Sequence, residues 1–220
     1  MGTHPVFLCL AGRRCVVLGG DAAAAAKARA CHEAGATVTL VAETLAPEVR
    51  LPEPGERFVH EVRAYRAGDL TGAFLSYASL ADPAIVARVR AEAEREHVLL
   101  NVVDRPEACD FFAAGVVRRG ALQIAVGTGG TSPAAAAHVR RRLEMLVGPE
   151  YGTMTEILGQ VRRAIASRPD RHDVLRALAE SPMPELLRQA DLGAVDRLLV
   201  RIAGEGCTLE RLGIAPVAGA

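Results

Sequence analysis

The sequence has no tryptophan, few aromatic residues (4%), and no excess of charge of either sign, because 26 basic residues balance 26 acidic ones. A net charge of zero gives no electrostatic reason to expect nucleic acid or an anionic membrane as a partner. No apolar run reaches the roughly 18 residues that a membrane-spanning helix needs. The N-terminal residues lack a basic segment followed by a long apolar one, so no signal peptide is expected.

Cysteine is also sparse and scattered. The five cysteines stand at positions 9, 15, 31, 109 and 207, and no two of them form a C-x-x-C pair. The histidines outside position 138 have no metal-ligand spacing either. These patterns predict a reduced, cytoplasmic protein without a bound structural metal.

The chain is long enough, at 220 residues, for one domain or two small ones. Strand and helix patterns alternate over residues 13–104, which predicts an α/β fold with a parallel sheet covered by helices. The predicted strands are Arg14–Leu18, Thr37–Ala42, Phe58–Arg63, Phe74–Ala78 and Val98–Val103, and the predicted helices are Ala22–Ala34 and Pro83–Glu96.

The alternation stops near residues 112–115. A β-hairpin is predicted over 116–126, followed by a glycine-rich loop and a helix over Ala134–Leu146. Further helices are predicted at about 151–167, 171–180, 184–190 and 194–203. The expected domains are therefore 1–113, a segment 114–147, and a helical region 148–220.

The stretch that organises the N-terminal part is a strand, a glycine turn and a helix at residues 15–27. This order is typical of dinucleotide-binding folds, in which a pyrophosphate rests on free N–H groups at the helix start. The usual spacing G-x-G-x-x-G/A falls here on Gly19, Asp21 and Ala24, so only the middle position departs from it.

Asp21 has two interpretations, which are compatible. A carboxylate about 4 Å from a phosphate charge costs about 1 kcal/mol in water and about 4 kcal/mol at an effective dielectric constant of 20. Asp21 would then weaken nucleotide binding, with Lys27 and Arg29 offsetting part of the loss. Alternatively, Asp21 only caps the helix, where an aspartate is favourable.

Other polar residues stand where ligands bind in such folds. Glu43 follows the second strand at the separation typical of a ribose-binding acid, or it is a solvated loop residue. Asp104 ends the fifth strand at the carboxyl edge of the sheet, as a general acid/base or as a loop-capping aspartate. The loop 127–132 binds anions through N–H groups and hydroxyls, or it is a capped turn. His138 and residues 140–142 add cations for an anionic ligand, or they are solvated.

Several blocks together resemble a known family, the precorrin-2 dehydrogenase/sirohydrochlorin ferrochelatase module of siroheme synthases. The blocks are HPVFL (4–8), VVLGGDAAAAAK (16–27), GATVTLVAE (35–43), AYRAGDL (64–70), NVVDRPEACDFF (101–112) and VVRRGALQIAVGTGGTSPAAAAHVRRRLE (116–144). The resemblance extends through the helical tail to about residue 200, so it covers most of the chain.

The resemblance implies a Rossmann-type NAD-binding domain, a dimerisation segment at 114–147 and a C-terminal helical region, working as a homodimer. It implies oxidation of precorrin-2 to sirohydrochlorin with NAD, and some members of the family also insert iron (Fe²⁺). The aspartate implicated in both reactions matches Asp104, and the family's loop hydroxyl near the tetrapyrrole matches Thr128. The implied NAD contacts are Gly19, Gly20, Asp21, Ala22, Ala23, Glu43 and Ser79. The implied substrate contacts are Asn101, Arg118, Arg119, Thr128, Gly129, Gly130, Ser132 and His138.

The chain departs from the family pattern at three places. Asp21 replaces the third glycine of the turn, Ser79-Leu80 replaces a Thr-Asp/Asn pair near the nucleotide, and Ala114 replaces a proline. The first two fall on the nucleotide side, whereas Asp104 and the loop 127–133 are intact. The predicted function is therefore NAD-dependent precorrin-2 dehydrogenation. The alternative is a degenerate nucleotide site, which leaves a chelatase or a tetrapyrrole-binding or carrier protein.

Overall fold

The computed structural model describes residues 2–214. These residues form two compact units. The N-terminal unit contains the chain up to Ala113 together with Gly129–Thr131, and the C-terminal unit contains Ala114–Thr128 and the chain from Ser132 onward.

The N-terminal unit is built on one sheet of five parallel strands, in the order β3-β2-β1-β4-β5. In chain order its elements are β1 (Arg14–Leu18), α1 (Ala22–Glu33), β2 (Thr37–Val41), β3 (Phe58–Glu61), β4 (Leu75–Ala78), α2 (Pro83–Glu96) and β5 (Leu99–Val102). A short 3-10 helix, Pro106–Ala108, follows β5. This arrangement confirms the predicted Rossmann-type α/β fold.

The sheet is covered on both faces. This burial explains why the sequence of β1 is almost entirely apolar. Successive side chains of a strand point to opposite faces. Val16 and Leu18 pack in the core that includes α2, whereas Cys15 and Val17 pack in the core that includes α1. A strand buried on both faces has no polar side, so the continuous apolar run follows.

Four observed strands are shorter than predicted. Thr37–Ala42 ends as a strand at Val41, and Phe74–Ala78 begins at Leu75. Phe58–Arg63 ends as a strand at Glu61, and Val98–Val103 is a strand only over Leu99–Val102. The strands β3 and β5 end where their pairing with the neighbouring strand ends. The last pair of β2 and β3 is Val41 with Glu61, and the last pair of β4 and β5 is Ala78 with Val102.

One buried hydroxyl in the sheet lacks a partner. Ser76, on β4, is fully buried, and its Oγ has no hydrogen-bond partner among the described residues. Leaving such a group unsatisfied costs about 1–3 kcal/mol. We expect Ser76→Ala to raise the free energy of unfolding by about 1 kcal/mol, measured by urea denaturation. A Ser76→Ala variant less stable than the parent would contradict this account.

The C-terminal unit combines a two-stranded antiparallel hairpin with helices. Its elements are β6 (Gly115–Arg119), β7 (Leu122–Val126), α3 (Pro133–Leu146), α4 (Glu150–Ala164), α5 (Arg171–Ala179), α6 (Met183–Arg188) and α7 (Leu192–Ala203). The predicted hairpin and helices are therefore all present. Helices α4 to α7 enclose an apolar core that contains Ile157, Leu178, Met183 and Leu199. Helix α3, in contrast, has no buried residue.

Within residues 2–214, no helix is both long and apolar enough to cross a bilayer.

Candidate functional site

The turn after β1 requires glycine because neighbouring backbone atoms leave no space for a side chain. A Cβ at Gly19 would lie 2.3 Å from the carbonyl oxygen of Ser79, and one at Gly20 would lie 1.9 Å from that of Thr44. Gly19 also has a φ of +120°, which a side chain disfavours. The Gly20 carbonyl accepts a hydrogen bond from the Ala46 N–H, which joins the turn to the segment after β2.

Asp21 follows this turn as the N-cap of α1. Its Oδ1 accepts a hydrogen bond from the Ala24 N–H at 2.8 Å, as the capping interpretation predicts. Its Oδ2 accepts a second bond from the Ser79 hydroxyl at 2.6 Å. The two departures from the family pattern on the nucleotide side are thus in direct contact.

That contact was not foreseen from the sequence, although a signal existed. Neighbouring parallel strands end at the same edge of a sheet, and β1 pairs with β4 in a register that sets Leu18 opposite Ala78. The residues that follow each strand therefore meet. The contact depends on β1 and β4 being neighbours, and the sequence did not give that strand order.

The cations expected to offset the Asp21 charge are engaged elsewhere. The Lys27 ammonium lies over the Tyr77 ring, 5.4 Å from its centroid, and burial lowers the pKa of Lys27. The Arg29 guanidinium donates to the carbonyl oxygen of Arg50. Neither side chain is directed to the Asp21 carboxylate by these contacts.

The residues at this edge fit a dinucleotide in part. The N–H groups of Gly20, Asp21, Ala22 and Ala23 have no hydrogen-bond partner among the described residues, so they remain available to an anion. Glu43 is exposed two residues after β2 ends, where the predicted ribose contact requires it. The Asp21 carboxylate, in contrast, opposes the pyrophosphate at the helix start.

Asp104 lies in the turn that follows β5. It is exposed, and its φ of +58° places a non-glycine residue in the left-handed region. Such a conformation is uncommon for a residue with a side chain, and aspartate is among the residues that tolerate it best. Residues held in this region are concentrated at functional sites, so the geometry is consistent with the predicted catalytic role.

The Asp104 turn is held by the Cys109 thiol. The Cys109 Sγ accepts a hydrogen bond from the Val102 N–H and lies 3.2 Å from the carbonyl oxygens of Val102 and Arg105. Burial raises the pKa of this thiol, so it stays protonated and can donate to either carbonyl. Sequence reasoning missed Cys109, since a lone cysteine carries no local signal for this role.

The rest of the NVVDRPEACDFF block also supports the turn. Asn101 is buried, and its amide donates to the carbonyl oxygen of Phe111 at 2.8 Å. The Asp110 carboxylate accepts from the Leu100 N–H and pairs with Arg90, and this ion pair raises the pKa of Arg90. The amide donor of Asn101 is therefore directed within the protein, and its predicted contact with substrate stays a prediction.

The glycine-rich loop is a capped turn whose hydroxyl protons remain available. The Ser132 Oγ accepts from the Ala135 N–H as the N-cap of α3, and the Thr128 Oγ1 accepts from the Ser132 N–H. Gly129 and Gly130 both have positive φ, as glycine allows. A Cβ at Gly130 would also press on the Phe112 ring at 3.0 Å. Both oxygens act as acceptors, so each hydroxyl can still donate to an anion.

The cationic side chains predicted to bind substrate differ in whether they are exposed or already hydrogen-bonded within the protein. Arg118 and His138 are exposed. Arg119 instead directs its guanidinium to three main-chain carbonyl oxygens, those of Arg118, Glu144 and Val147, which lie near the end of α3 and beside the arginine itself. Two of these bonds satisfy main-chain carbonyl oxygens at the end of α3, and the predicted substrate contact of Arg119 stays a prediction.

No group of three or more His, Cys, Asp or Glu side chains in residues 2–214 is arranged to hold a metal ion. An open groove of about 530 Å³ lies in the C-terminal unit, between the hairpin turn at Gly120 and helix α4. None of the predicted site residues lines this groove.

Two family models match the chain. Residues 6–114 match the family described as "Putative NAD(P)-binding", and residues 119–146 match "Sirohaem biosynthesis protein central". The first match spans the five-stranded sheet, and the second spans most of the hairpin, the glycine-rich loop and α3.

Individual relatives agree with the family models. The chain is 34% identical to a siroheme synthase of Chromobacterium violaceum over 226 residues, covering 100% of this chain and 47% of the relative. It is 34% identical to a siroheme synthase of Methylobacillus flagellatus over 168 residues, covering 76% and 36%. The chain therefore spans less than half the length of these relatives. A solved structure named "SirC, precorrin-2 dehydrogenase" shares its fold, with a TM-score of 0.66, 21% identity, and coverage of 89% of this chain and 100% of that one.

The parallel sheet, the glycine turn and the capped first helix define a Rossmann-type protein of the NAD(P)-binding class. The sequence matches then make the assignment specific. The chain belongs to the siroheme synthase family, which confirms the resemblance drawn from its motifs.

Proposed function

We propose that this chain catalyses the NAD-dependent dehydrogenation of precorrin-2 to sirohydrochlorin in siroheme biosynthesis. One observation carries the proposal: a siroheme synthase family chain presents an exposed aspartate, Asp104, in a left-handed turn at the carboxyl edge of its sheet. Open α/β folds bind their ligands at that edge. The relatives named siroheme synthase and the fold shared with a precorrin-2 dehydrogenase support the same reaction.

Each polar group has a proposed task. NAD, when bound, supplies the acceptor for the hydride that leaves the tetrapyrrole. The Asp104 carboxylate takes the proton that leaves with it and so acts as the general base. The Thr128 and Ser132 hydroxyls, the N–H groups of Gly129 and Gly130, and the cation Arg118 hold substrate carboxylates. His138 adds a further donor on α3.

The test is anaerobic turnover of precorrin-2 with NAD, followed by NADH absorbance and by the spectrum of sirohydrochlorin. We expect both products in equal amounts. No NADH at millimolar cofactor, with precorrin-2 still intact, would refute the proposal.

A second function is favoured by the contact between Asp21 and Ser79. If this contact abolishes nucleotide binding, the chain acts as a metal chelatase, with Fe²⁺ as a substrate, or as a tetrapyrrole-binding or carrier protein. Separate titrations with sirohydrochlorin and with NAD discriminate between the two functions. Binding of sirohydrochlorin without NAD supports the second one, whereas tight NAD binding excludes it.

The proposed assembly is a cytoplasmic homodimer formed through residues 114–147. Helix α3, within this segment, buries none of its residues in the structure. Val139, Met145 and Leu146 are exposed there, the last two by 74% and 70%. Apolar side chains exposed along one helix are typical of an interface. Sedimentation equilibrium should give twice the chain mass of 23.2 kDa, and a monomer at micromolar concentration would exclude the dimer.

A further inference from the structure

We infer that Asp21 and Ser79 form a latch that places a carboxylate of the protein on the N-terminus of α1 and thereby sets how weakly this chain binds a dinucleotide. The inference rests on the proposed use of NAD and concerns the affinity of that same site. The latch consists of the Asp21 side chain, the Ser79 hydroxyl and the Ala24 N–H.

The position of the carboxylate is the first argument. A pyrophosphate in this fold is received by N–H groups at the start of the first helix, next to the glycine turn. The Asp21 Oδ1 already accepts the Ala24 N–H at 2.8 Å, so one of the donors is occupied by an anion that belongs to the protein. A pyrophosphate must approach the remaining donors, at Gly20 to Ala23, beside a like charge.

The second argument is that the carboxylate is held by both of its oxygens. The Ser79 hydroxyl donates to Oδ2 at 2.6 Å, while Oδ1 remains on the helix. The Ser79 backbone is itself fixed, since its N–H donates to the carbonyl oxygen of Leu18 at 2.8 Å. To turn the Asp21 side chain away from the helix start, the protein must break both hydrogen bonds to the charged carboxylate, and the one from Ser79 is short, at 2.6 Å.

The third argument is that the charge is not neutralised locally. Lys27 lies over the Tyr77 ring, and Arg29 donates to the carbonyl oxygen of Arg50. Neither of these two cations is therefore placed between the carboxylate and an incoming anion. Because Asp21 is exposed, solvent screens part of this repulsion, so the latch weakens binding without requiring that it be abolished.

The experiment measures NAD⁺ affinity directly, by titration calorimetry on the full chain, so that it does not depend on turnover. Asp21→Gly removes the carboxylate and restores the glycine of the usual motif. Since glycine is a tolerated N-cap, the loss of helix stability is small. We expect the dissociation constant for NAD⁺ to fall at least about tenfold. Asp21→Asn keeps a cap and removes the charge, and it should give part of that gain.

Asp82 offers a matched control. It is likewise an exposed N-cap, of α2, and its Oδ1 accepts from the Ala84 N–H at 2.8 Å, two residues on, where Asp21 accepts from the N–H three residues on. Asp82→Gly should leave the NAD⁺ affinity unchanged. Ser79→Ala should tighten binding about two- to fivefold in the parent chain, because the carboxylate is released, and should have no such effect in the Asp21→Gly background.

Three results would overturn the latch. They are an unchanged NAD⁺ affinity in Asp21→Gly, an equal gain in Asp82→Gly, and an effect of Ser79→Ala that does not depend on Asp21. If every variant, Asp21→Gly included, fails to bind NAD⁺, the latch is also overturned, because the carboxylate is then not what limits binding. If Asp21→Gly gains affinity but precorrin-2 is not oxidised, the latch stands and the proposed dehydrogenase function fails.

Discussion

Replacing Asp104 with asparagine should lower kcat for precorrin-2 oxidation by about 100-fold or more, the usual contribution of a positioned general base. Asparagine has nearly the same shape as aspartate and also tolerates the left-handed backbone at this position, where φ is +58°. It cannot accept the proton. Anaerobic NADH formation gives kcat, and tetrapyrrole titration shows whether substrate binding is kept.

Glu107 provides the control for charge. It lies three residues further along, in the exposed 3-10 helix that follows the same turn. Glu107→Gln removes an equal charge, and we expect kcat within twofold of the parent. If Glu107→Gln lost as much activity as Asp104→Asn, the effect would be one of local charge, and Asp104 would not be the base.

A glycine at position 104 should change activity and stability in opposite directions. Asp104→Gly should abolish turnover and yet raise the free energy of unfolding by up to about 1 kcal/mol, because glycine adopts positive φ without strain. A residue that is required for catalysis but lowers the stability of the fold is typical of a functional site. An Asp104→Gly variant that is less stable than the parent would argue against strain at this turn.

Replacing Glu92 with alanine should lower the free energy of unfolding by about 3 kcal/mol, because a buried carboxylate is lost and three donors, among them the buried Leu70 N–H, then lose their acceptor. Glu92, on α2, is 2% exposed. Its carboxylate accepts from the Tyr65 hydroxyl, from the Gly68 N–H at 3.0 Å and from the Leu70 N–H at 2.8 Å. Burial, followed by the contact with Glu92, raises the pKa of Tyr65, so the phenol remains a donor. Urea denaturation followed by circular dichroism measures the loss.

Glu94 is the matched control on the same helix. It is exposed and pairs with Arg90 four residues earlier, a type of surface pair worth about 0.3–0.5 kcal/mol. Glu94→Ala should therefore cost about 0.5 kcal/mol or less. Equal losses in the two variants would show that the buried carboxylate does not anchor the segment 65–70.

Local patterns in the sequence predicted most of the architecture. The apolar run at 15–18 indicated a buried strand, and glycine after it indicated the turn. Asp82 and Ser132, each followed by proline, are the N-caps of α2 and α3. These signals are reliable because a cap or an alternation depends only on residues a few positions apart.

The candidate site was predictable only in its outline. The carboxyl edge of the sheet, Asp104 and the loop at 127–132 follow from strand order in the chain and from the family motifs. The partners of their polar groups do not. Cys109 under the Asp104 turn was missed, and so were the hydrogen bonds that Asn101 and Arg119 make within the protein.

The sequence by itself determined the elements of this protein, their caps and turns, and the family to which its motifs point, because each of these depends on neighbours in the chain. Tertiary structure decided which distant side chains meet. The strand order β3-β2-β1-β4-β5 makes β1 and β4 neighbours and brings Ser79 to Asp21, 58 positions away. Packing of α2 against the sheet likewise places Glu92 beside the segment 65–70. Such contacts depend on how all the apolar faces are buried together, and no local pattern encodes that choice.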